Sequence, residues 1–121
     1  KVGTDFAVPD HGLEHMMEAY DSVEMDHVLF GHIGDNHLHL NFLPKDQDEL
    51  DFAKEMYREL ALMAVSLGGT VSAEHGIGKI KTELLAEMLG DAVIQSFRSL
   101  KSKLVPNWIL GRGILFSKEN D

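Results

Sequence analysis

The stretch GHIGDNHLHLN, residues 31–41, determines how the first half of this 121-residue chain can fold. Apolar and polar residues alternate on both sides of a short polar turn, which is typical of two antiparallel strands with one buried face. We therefore predict strands at 28–33 and 38–43. Asp35 and Asn36 both tolerate the left-handed backbone conformation, and they predict a tight two-residue turn between the strands.

The turn decides which residues lie opposite one another. If it is centred on Asp35 and Asn36, His32 lies opposite His39, with Cβ atoms roughly 5 Å apart, so two imidazoles could share one metal ion. His37 shares the face of His39 because side chains alternate along a strand. The same alternation puts Asn41 on this polar face, and the other face carries the apolar residues Ile33, Leu38, Leu40 and Phe42.

A second histidine segment, SAEHGIG, occupies residues 72–78. Imidazole and carboxylate groups together form the ligand set of a divalent transition metal such as zinc or manganese. If the fold brings Glu74 to the hairpin, it completes a set of two histidines and one carboxylate with open positions for water or substrate. His75 lies in a glycine-framed turn that could aim both side chains at one pocket. The segment lacks the full glycine spacing of a dinucleotide-binding loop.

The sequence alone also allows simpler interpretations of these residues. The hairpin histidines could be surface residues without a ligand, and Glu74 and His75 could be a solvated pair in a helix-capping loop. Clusters of histidine and glutamate are more typical of a metal or catalytic site. At the level of function, the alternatives are a stand-alone metal-binding module and a catalytically inert structural domain.

The flanking segments predict an α+β fold. Asp10 and Asp46 are suitable N-cap residues for two helices, and Gly68 follows the second helix as glycine commonly does. The strand and helix order matches the ferredoxin-like βαββαβ pattern, an antiparallel sheet with helices on one face, followed by C-terminal helices. The predicted elements are strands at 2–8, 28–33, 38–43 and 70–73, helices at 10–22, 46–67, 80–89 and 91–104, and a packed extended segment at 105–110.

The composition excludes several classes of function. The net charge of −9 should repel nucleic acid and anionic membrane surfaces, and no cluster of basic residues is present. The chain has no cysteine, so disulfides and thiolate metal sites are excluded. The longest apolar stretch, around 60–65, is too short for a transmembrane segment. An anionic substrate would need a local positive centre such as a metal ion.

The length of the chain fits one domain, residues 1–121. It begins with Lys1, shows no signal-peptide pattern, and reads as a strand almost from the start. We therefore expect a fragment of a longer protein. We expect it to be soluble, and either cytoplasmic or peripheral to a membrane.

Both histidine segments, in this order, closely resemble the C-terminal domain of FAD-linked oxidases, flavoproteins of the vanillyl-alcohol oxidase type. The D-2-hydroxyacid dehydrogenases among them (D-lactate dehydrogenase, D-2-hydroxyglutarate dehydrogenase and the glycolate oxidase flavoprotein subunit) have a pattern close to GHxGDGNLHxN, then GGxxSxEHGIG, then Pro-Asn. Residues 31–41, 68–78 and 106–107 match it here. The opening DFAVP, residues 5–9, is also similar, so the resemblance covers nearly the whole chain.

The resemblance implies His32, His39 and Glu74 as ligands of a divalent metal, zinc or manganese. It implies His75 as the base that takes the substrate hydroxyl proton, and Asn41 as a residue near the substrate.

The chain departs from this pattern at the turn, where Asn36-His37 stands in place of Gly-Asn. His37 is therefore a further candidate for substrate binding, either as an added ligand or as a change in the shape of the pocket.

The resemblance further implies oxidation of a small anionic 2-hydroxy acid to the 2-oxo acid. FAD is expected to be bound mainly by a separate N-terminal flavin domain, absent here, so no cofactor-binding residue is assigned to this chain. The chain alone is then expected to be inactive, and a homodimer remains open. A flavin-domain sequence directly upstream in the parent gene would distinguish this interpretation from the two alternatives.

Overall fold

Strand β4 (His37–Phe42) is the centre of a four-stranded antiparallel sheet. One edge of β4 pairs with the short strands β1 (Val2–Gly3) and β2 (Phe6–Ala7), and the other edge pairs with β3 (His27–His32). All side chains of β4 are buried except that of Asn41, which is half-buried. Polar residues of β4 therefore lie inside the protein and must find partners there.

The computed structural model describes residues 2–117, which divide into two compact units, the first ending at His75 and the second beginning at Gly76. The predicted α+β class with an antiparallel sheet is confirmed, and a single domain spanning 1–121 stays a prediction. No helix within residues 2–117 has the length and apolar character needed to cross a membrane. The helices are α1 (Leu13–Asp21) and α2 (Gln47–Ser66) in the first unit, and α3 (Thr82–Leu89) and α4 (Asp91–Leu104) in the second.

The register of the hairpin differs from the predicted one. His32 lies opposite His37, and Phe30 lies opposite His39, so the predicted pairing of His32 with His39 is wrong. The reason is a longer turn: Ile33–Asp35 form a 3-10 turn, and Asn36 follows in the left-handed conformation with φ of 51°. A shift by two positions keeps each side chain on its face, so His32, His37 and His39 still share one face of the sheet.

Gly31 allows β3 to approach β4 closely in front of the turn. Its φ is +149°, and an added Cβ would lie 2.5 Å from the carbonyl oxygen of His37 and 2.9 Å from the Cα of Leu38. Any other residue here would push the two strands apart, so the glycine is required by packing rather than by the turn itself.

The two predicted helix caps have different outcomes. Asp46 is confirmed as the N-cap of α2, since its Oδ1 accepts a hydrogen bond of 2.8 Å from the Glu49 amide. Asp10 is not a cap: it begins a 3-10 helix, Asp10–Gly12, that precedes α1, and no side-chain cap bond forms there. Its carboxylate instead accepts a hydrogen bond of 2.6 Å from Asn36 Nδ2, which ties the start of α1 to the hairpin turn.

Three predicted extended segments are shorter or more irregular in the structure. The strand at 2–8 is interrupted at Thr4 and Asp5, which separate β1 from β2. The strand at 70–73 is reduced to a single antiparallel bridge between Ala7 and Thr70. The segment at 105–110 forms a turn in which Trp108 has φ of 53°.

Each unit has its own apolar core. In the first unit, α2 buries Ala53, Leu60, Ala61 and Ala64. The largest buried side chains of this unit are those of Tyr20, Phe6, Phe42, Met16, Leu40 and Leu60. Burial of each large apolar side chain stabilises the fold by roughly 1.5–3 kcal/mol. In the second unit, the core consists of Leu85, Ile94, Trp108 and Phe116.

Asn36 provides a test of the turn that sets the hairpin register. Asn36→Ala and Asn36→Gly both remove the bond to Asp10, but only alanine places a Cβ in the left-handed conformation. We expect the glycine variant to be more stable than the alanine variant by about 1 kcal/mol in urea unfolding, because the left-handed conformation costs an L-residue roughly that amount. At a position with negative φ, alanine is normally more stabilising than glycine. An alanine variant more stable than the glycine variant would therefore contradict the left-handed conformation of Asn36.

Candidate metal and substrate site

The two histidine segments meet within the first unit, on the polar face of the sheet. His39 Nε2 lies 3.0 Å from Oε1 of Glu74, and His32 Nε2 lies 3.8 Å from Oε2 of the same carboxylate. The three residues assigned as metal ligands from the family resemblance are therefore brought together around Glu74. His39 is buried, whereas the side chains of His32 and Glu74 are 59% and 43% exposed.

His39 is held by the main chain on its inner side. Its Nδ1 lies 2.9 Å from the carbonyl oxygen of Thr4, and because a carbonyl can only accept, Nδ1 carries the proton. In the neutral ring, Nε2 then presents a lone pair toward the Glu74 carboxylate, which is itself an acceptor. Such an arrangement is stabilised by a cation between the two groups, either a proton on the ring or a metal ion.

This donor set fits a divalent metal. Metal-binding imidazoles usually donate their second N–H to a carbonyl or carboxylate, which fixes the ring and leaves the other nitrogen free to bind. His39 has this arrangement, with Thr4 as the orienting group and Glu74 as the neighbouring oxygen ligand. Across the described residues, ligand atoms of four side chains lie within 4.8 Å of one another: Asp5, His37, His39 and Glu74.

Two members of that group, Asp5 and His37, are hydrogen-bonded to each other. His37 Nε2 lies 3.1 Å from Asp5 Oδ1, and both side chains are almost fully buried. The His37 ring packs edge-on against His39, with centroids 4.4 Å apart. The Asp5 oxygens and His37 Nε2 have hydrogen-bond partners away from the pocket, so the candidate ligand atoms that face each other at the pocket are those of His39 and Glu74. His32 approaches them from the exposed side.

His75 lies at the mouth of the site. Its ring stacks on that of His39, with centroids 5.0 Å apart and planes 12° from parallel, and its Nε2 lies 3.5 Å from Glu74 Oε1. The side chain is 61% exposed. It is thus close to the same carboxylate as the metal-ligand candidates and still accessible to a small molecule.

An open pocket of about 510 Å³ lies over this cluster. Its volume falls within the range of roughly 300–1,000 Å³ usual for small-ligand sites. Asn41 and His37, the two substrate-binding candidates, do not contribute to its lining within the first unit, and their role stays a prediction. The lining residues are Phe30, Gly31, His32, His39, Glu74 and His75.

Asp5 is the site residue that the sequence analysis missed. Its carboxylate is fully buried and accepts hydrogen bonds from Ser72 Oγ at 2.8 Å and from the amides of Glu74 and His75 at 3.2 and 3.0 Å. Burial and then the negative charge of Asp5 raise the pKa of Tyr57 to about 12. An acidic residue in the middle of a predicted strand was the available signal, because charged residues are rarely buried without partners.

Comparison with known proteins identifies the family of this chain. The family model described as FAD linked oxidases, C-terminal domain, matches residues 4–115. The chain belongs to this family. The resemblance stated from the two histidine segments is therefore confirmed.

Several curated relatives within the family are similar over most of this chain. It is 30% identical to the glycolate oxidase subunit GlcD of Bacillus subtilis, over 95% of this chain and 26% of the relative. It is 32% identical to D-lactate dehydrogenase of Anaerostipes hadrus, over 90% and 24% of the two chains. It is 38% identical to D-2-hydroxyglutarate dehydrogenase of Xanthomonas citri pv. viticola, over 77% and 21%. The chain thus spans about a quarter of the length of these relatives.

The orientation of His39 is directly testable. We expect nitrogen NMR of the imidazole rings to find Nδ1 of His39 protonated wherever the first unit is folded, because Thr4 offers only an acceptor. The exposed His15 on α1 serves as the control, and it should show the usual mixture of neutral tautomers. An unprotonated Nδ1 at His39 would contradict the orientation described for the ring.

Proposed function

We propose that this chain is the metal-bearing, substrate-side domain of an FAD-dependent dehydrogenase that oxidises a small 2-hydroxy acid to the 2-oxo acid. The names of the relatives cover glycolate, D-lactate and D-2-hydroxyglutarate. The observation that supports the proposal most strongly is His39, whose Nε2 faces Glu74 at 3.0 Å beside an open pocket while Nδ1 is held by Thr4.

The charges of the pocket support a metal at this position. The substrate class is anionic, yet the pocket contains the Glu74 carboxylate, and no lysine or arginine occurs among its lining residues in the first unit. The chain as a whole carries a charge of −9. His39, Glu74 and His32 would hold the ion. When bound, a divalent metal supplies a Lewis acid for the substrate oxygens, and a flavin supplies the two-electron acceptor.

The residues of this chain would then have distinct roles. His39 and Glu74 fix the inner side of the site, and their positions decide where substrate oxygens can bind. His75 is exposed and stacked on His39, and it would accept the substrate hydroxyl proton. Phe30 lies across the hairpin from His39, with ring centroids 5.2 Å apart, and would form an apolar wall on one side of the pocket.

Zinc binding to the 121-residue chain tests the proposed metal centre. We expect calorimetry to give about one ion per chain. His39→Ala and Glu74→Gln should each weaken zinc binding at least ~100-fold, because removing a metal ligand lowers affinity more than removing a residue that only orients a ligand. His32→Ala should weaken it at least ~10-fold. His15→Ala on α1 is the matched control and should bind as the wild type does. Equal affinities for the wild type and the Glu74→Gln variant would exclude this site.

His75 is tested in the full-length protein that joins this domain to a flavin domain. His75→Gln should lower kcat for a 2-hydroxy acid about 100-fold or more, because a general base contributes 10²- to 10⁴-fold, and zinc content should be unchanged. The control is His11→Gln, an exposed histidine in the 3-10 helix before α1. Turnover near that of the wild type would show that His75 is not the base.

A further inference from the structure

The Asp5 carboxylate lies behind the site, where it is bound by the loop that carries Glu74 and His75. It is fully buried, and both oxygens accept hydrogen bonds. Main-chain amides of Glu74 and His75 donate to it, and the hydroxyl of Ser72 donates as well. The Asp5 side chain therefore accepts three hydrogen bonds from a loop that has no regular secondary structure.

The same carboxylate also holds the imidazole behind His39. With Asp5 ionised, His37 Nε2 is the donor across the 3.1 Å contact. The His37 ring then lies edge-on against His39, whose ring also contacts that of Phe30. Asp5 therefore contacts His37 directly and His39 through His37. It also binds the main chain of Glu74 and His75.

The geometry points to Asp5 and His37 as a positioning pair that sets the distance between His39 and Glu74 and the orientation of His75. This inference rests on the proposed metal and substrate role of those three residues. Asp5 itself is not a ligand, because its oxygens are occupied by protein donors. A buried carboxylate so bound is rigid, and outer-shell groups of this kind typically change metal affinity 10- to 100-fold when removed.

The backbone offers an internal control for the experiment. The Ala73 amide donates to the main-chain oxygen of Asp5 at 3.0 Å, a bond that the variant Asp5→Asn retains. The amides of Glu74 and His75 donate to the side chain, where asparagine replaces one acceptor oxygen with a donor. If the Asp5 side chain positions the loop, Asp5→Asn should change the exchange rate at the Glu74 or His75 amide more than at the Ala73 amide. A general loss of stability would change all three rates alike.

The test compares amide hydrogen exchange in the metal-free 121-residue chain of the wild type and Asp5→Asn. The Glu74 amide donates to Oδ1 of Asp5 and the His75 amide to Oδ2, so the asparagine Nδ2 can replace the acceptor of only one of them. We expect that amide, either that of Glu74 or that of His75, to exchange at least ~10-fold faster in the variant, the loss expected for one hydrogen bond to a charged group. The Ala73 amide should change less than about threefold. Uniform changes at all three amides, or none, would overturn the positioning role.

Zinc affinity gives the second measurement, at temperatures where both proteins are folded. Asp5→Asn should weaken zinc binding about 10- to 100-fold, whereas Asp21→Asn, an exposed carboxylate at the end of α1, should leave it unchanged. If the wild type binds no zinc, the proposed metal centre fails, and the exchange comparison still decides the role of Asp5. An unchanged affinity in a zinc-binding Asp5→Asn protein would overturn the inference.

A pair of His37 variants keeps the inference testable if Asp5→Asn does not fold. Glutamine can place an amide donor near the position of Nε2, whereas leucine fills similar space without a donor. We expect His37→Gln to retain zinc affinity within about threefold and His37→Leu to lose about tenfold. Equal affinities in the two variants would show that His37 acts through packing alone and would overturn the pair.

Discussion

The hydrogen bond from His39 Nδ1 to the Thr4 carbonyl oxygen fixes the ring on which the other site residues are arranged. It exists because the first strand is interrupted: Thr4 and Asp5 lie between β1 and β2 and turn their polar groups toward β4. The Thr4 hydroxyl accepts a hydrogen bond of 2.8 Å from the Leu40 amide, so the interruption is itself bonded to the strand that it orients. A continuous strand at 2–8 would have used these groups in the sheet.

The first unit buries two imidazoles and a carboxylate, and each would destabilise the fold if it lacked a hydrogen-bond partner. A buried polar group without a partner costs about 1–3 kcal/mol, and a charged group costs more. Asp5, His37 and His39 all have partners, and no buried side-chain nitrogen or oxygen atom in residues 2–117 is left without one. A fully satisfied network of this kind is rigid. Glu74 and His75 extend from it to the pocket with much of their side chains exposed, which suits residues that bind a substrate.

The sequence correctly predicted that the hairpin histidines share one face of the sheet, but it did not predict how the two hairpin strands pair. Alternation along β4 places His37 and His39 together whatever the length of the turn, and a shift of two positions preserves the face. The pairing partner depends on turn geometry, and the 3-10 turn at Ile33–Asp35 gave no clear local signal. The meeting of Glu74 with His39 was expected only if the fold joined two segments 35 positions apart.

An acidic residue inside a predicted strand was a signal for Asp5, but local sequence patterns could not predict its partners, because its donors in the loop 72–75 lie 67 to 70 positions away along the chain. Short strands also carry little periodicity, so local patterns predict one continuous strand where β1 and β2 are separated. The family resemblance included Asp5 in the DFAVP segment but assigned it no role. Its role follows only from the contacts made by the folded chain.

The most direct test of the metal centre is a crystal structure of the zinc-loaded protein with anomalous diffraction data at the zinc edge. We expect one strong peak at coordination distance from both His39 Nε2 and a Glu74 oxygen, about 2.0–2.2 Å for zinc, with Nδ1 of His39 still bound to Thr4. A peak on other histidines, or a direct His39–Glu74 contact with no peak between the two side chains in a crystal grown with excess zinc, would contradict the proposed metal centre.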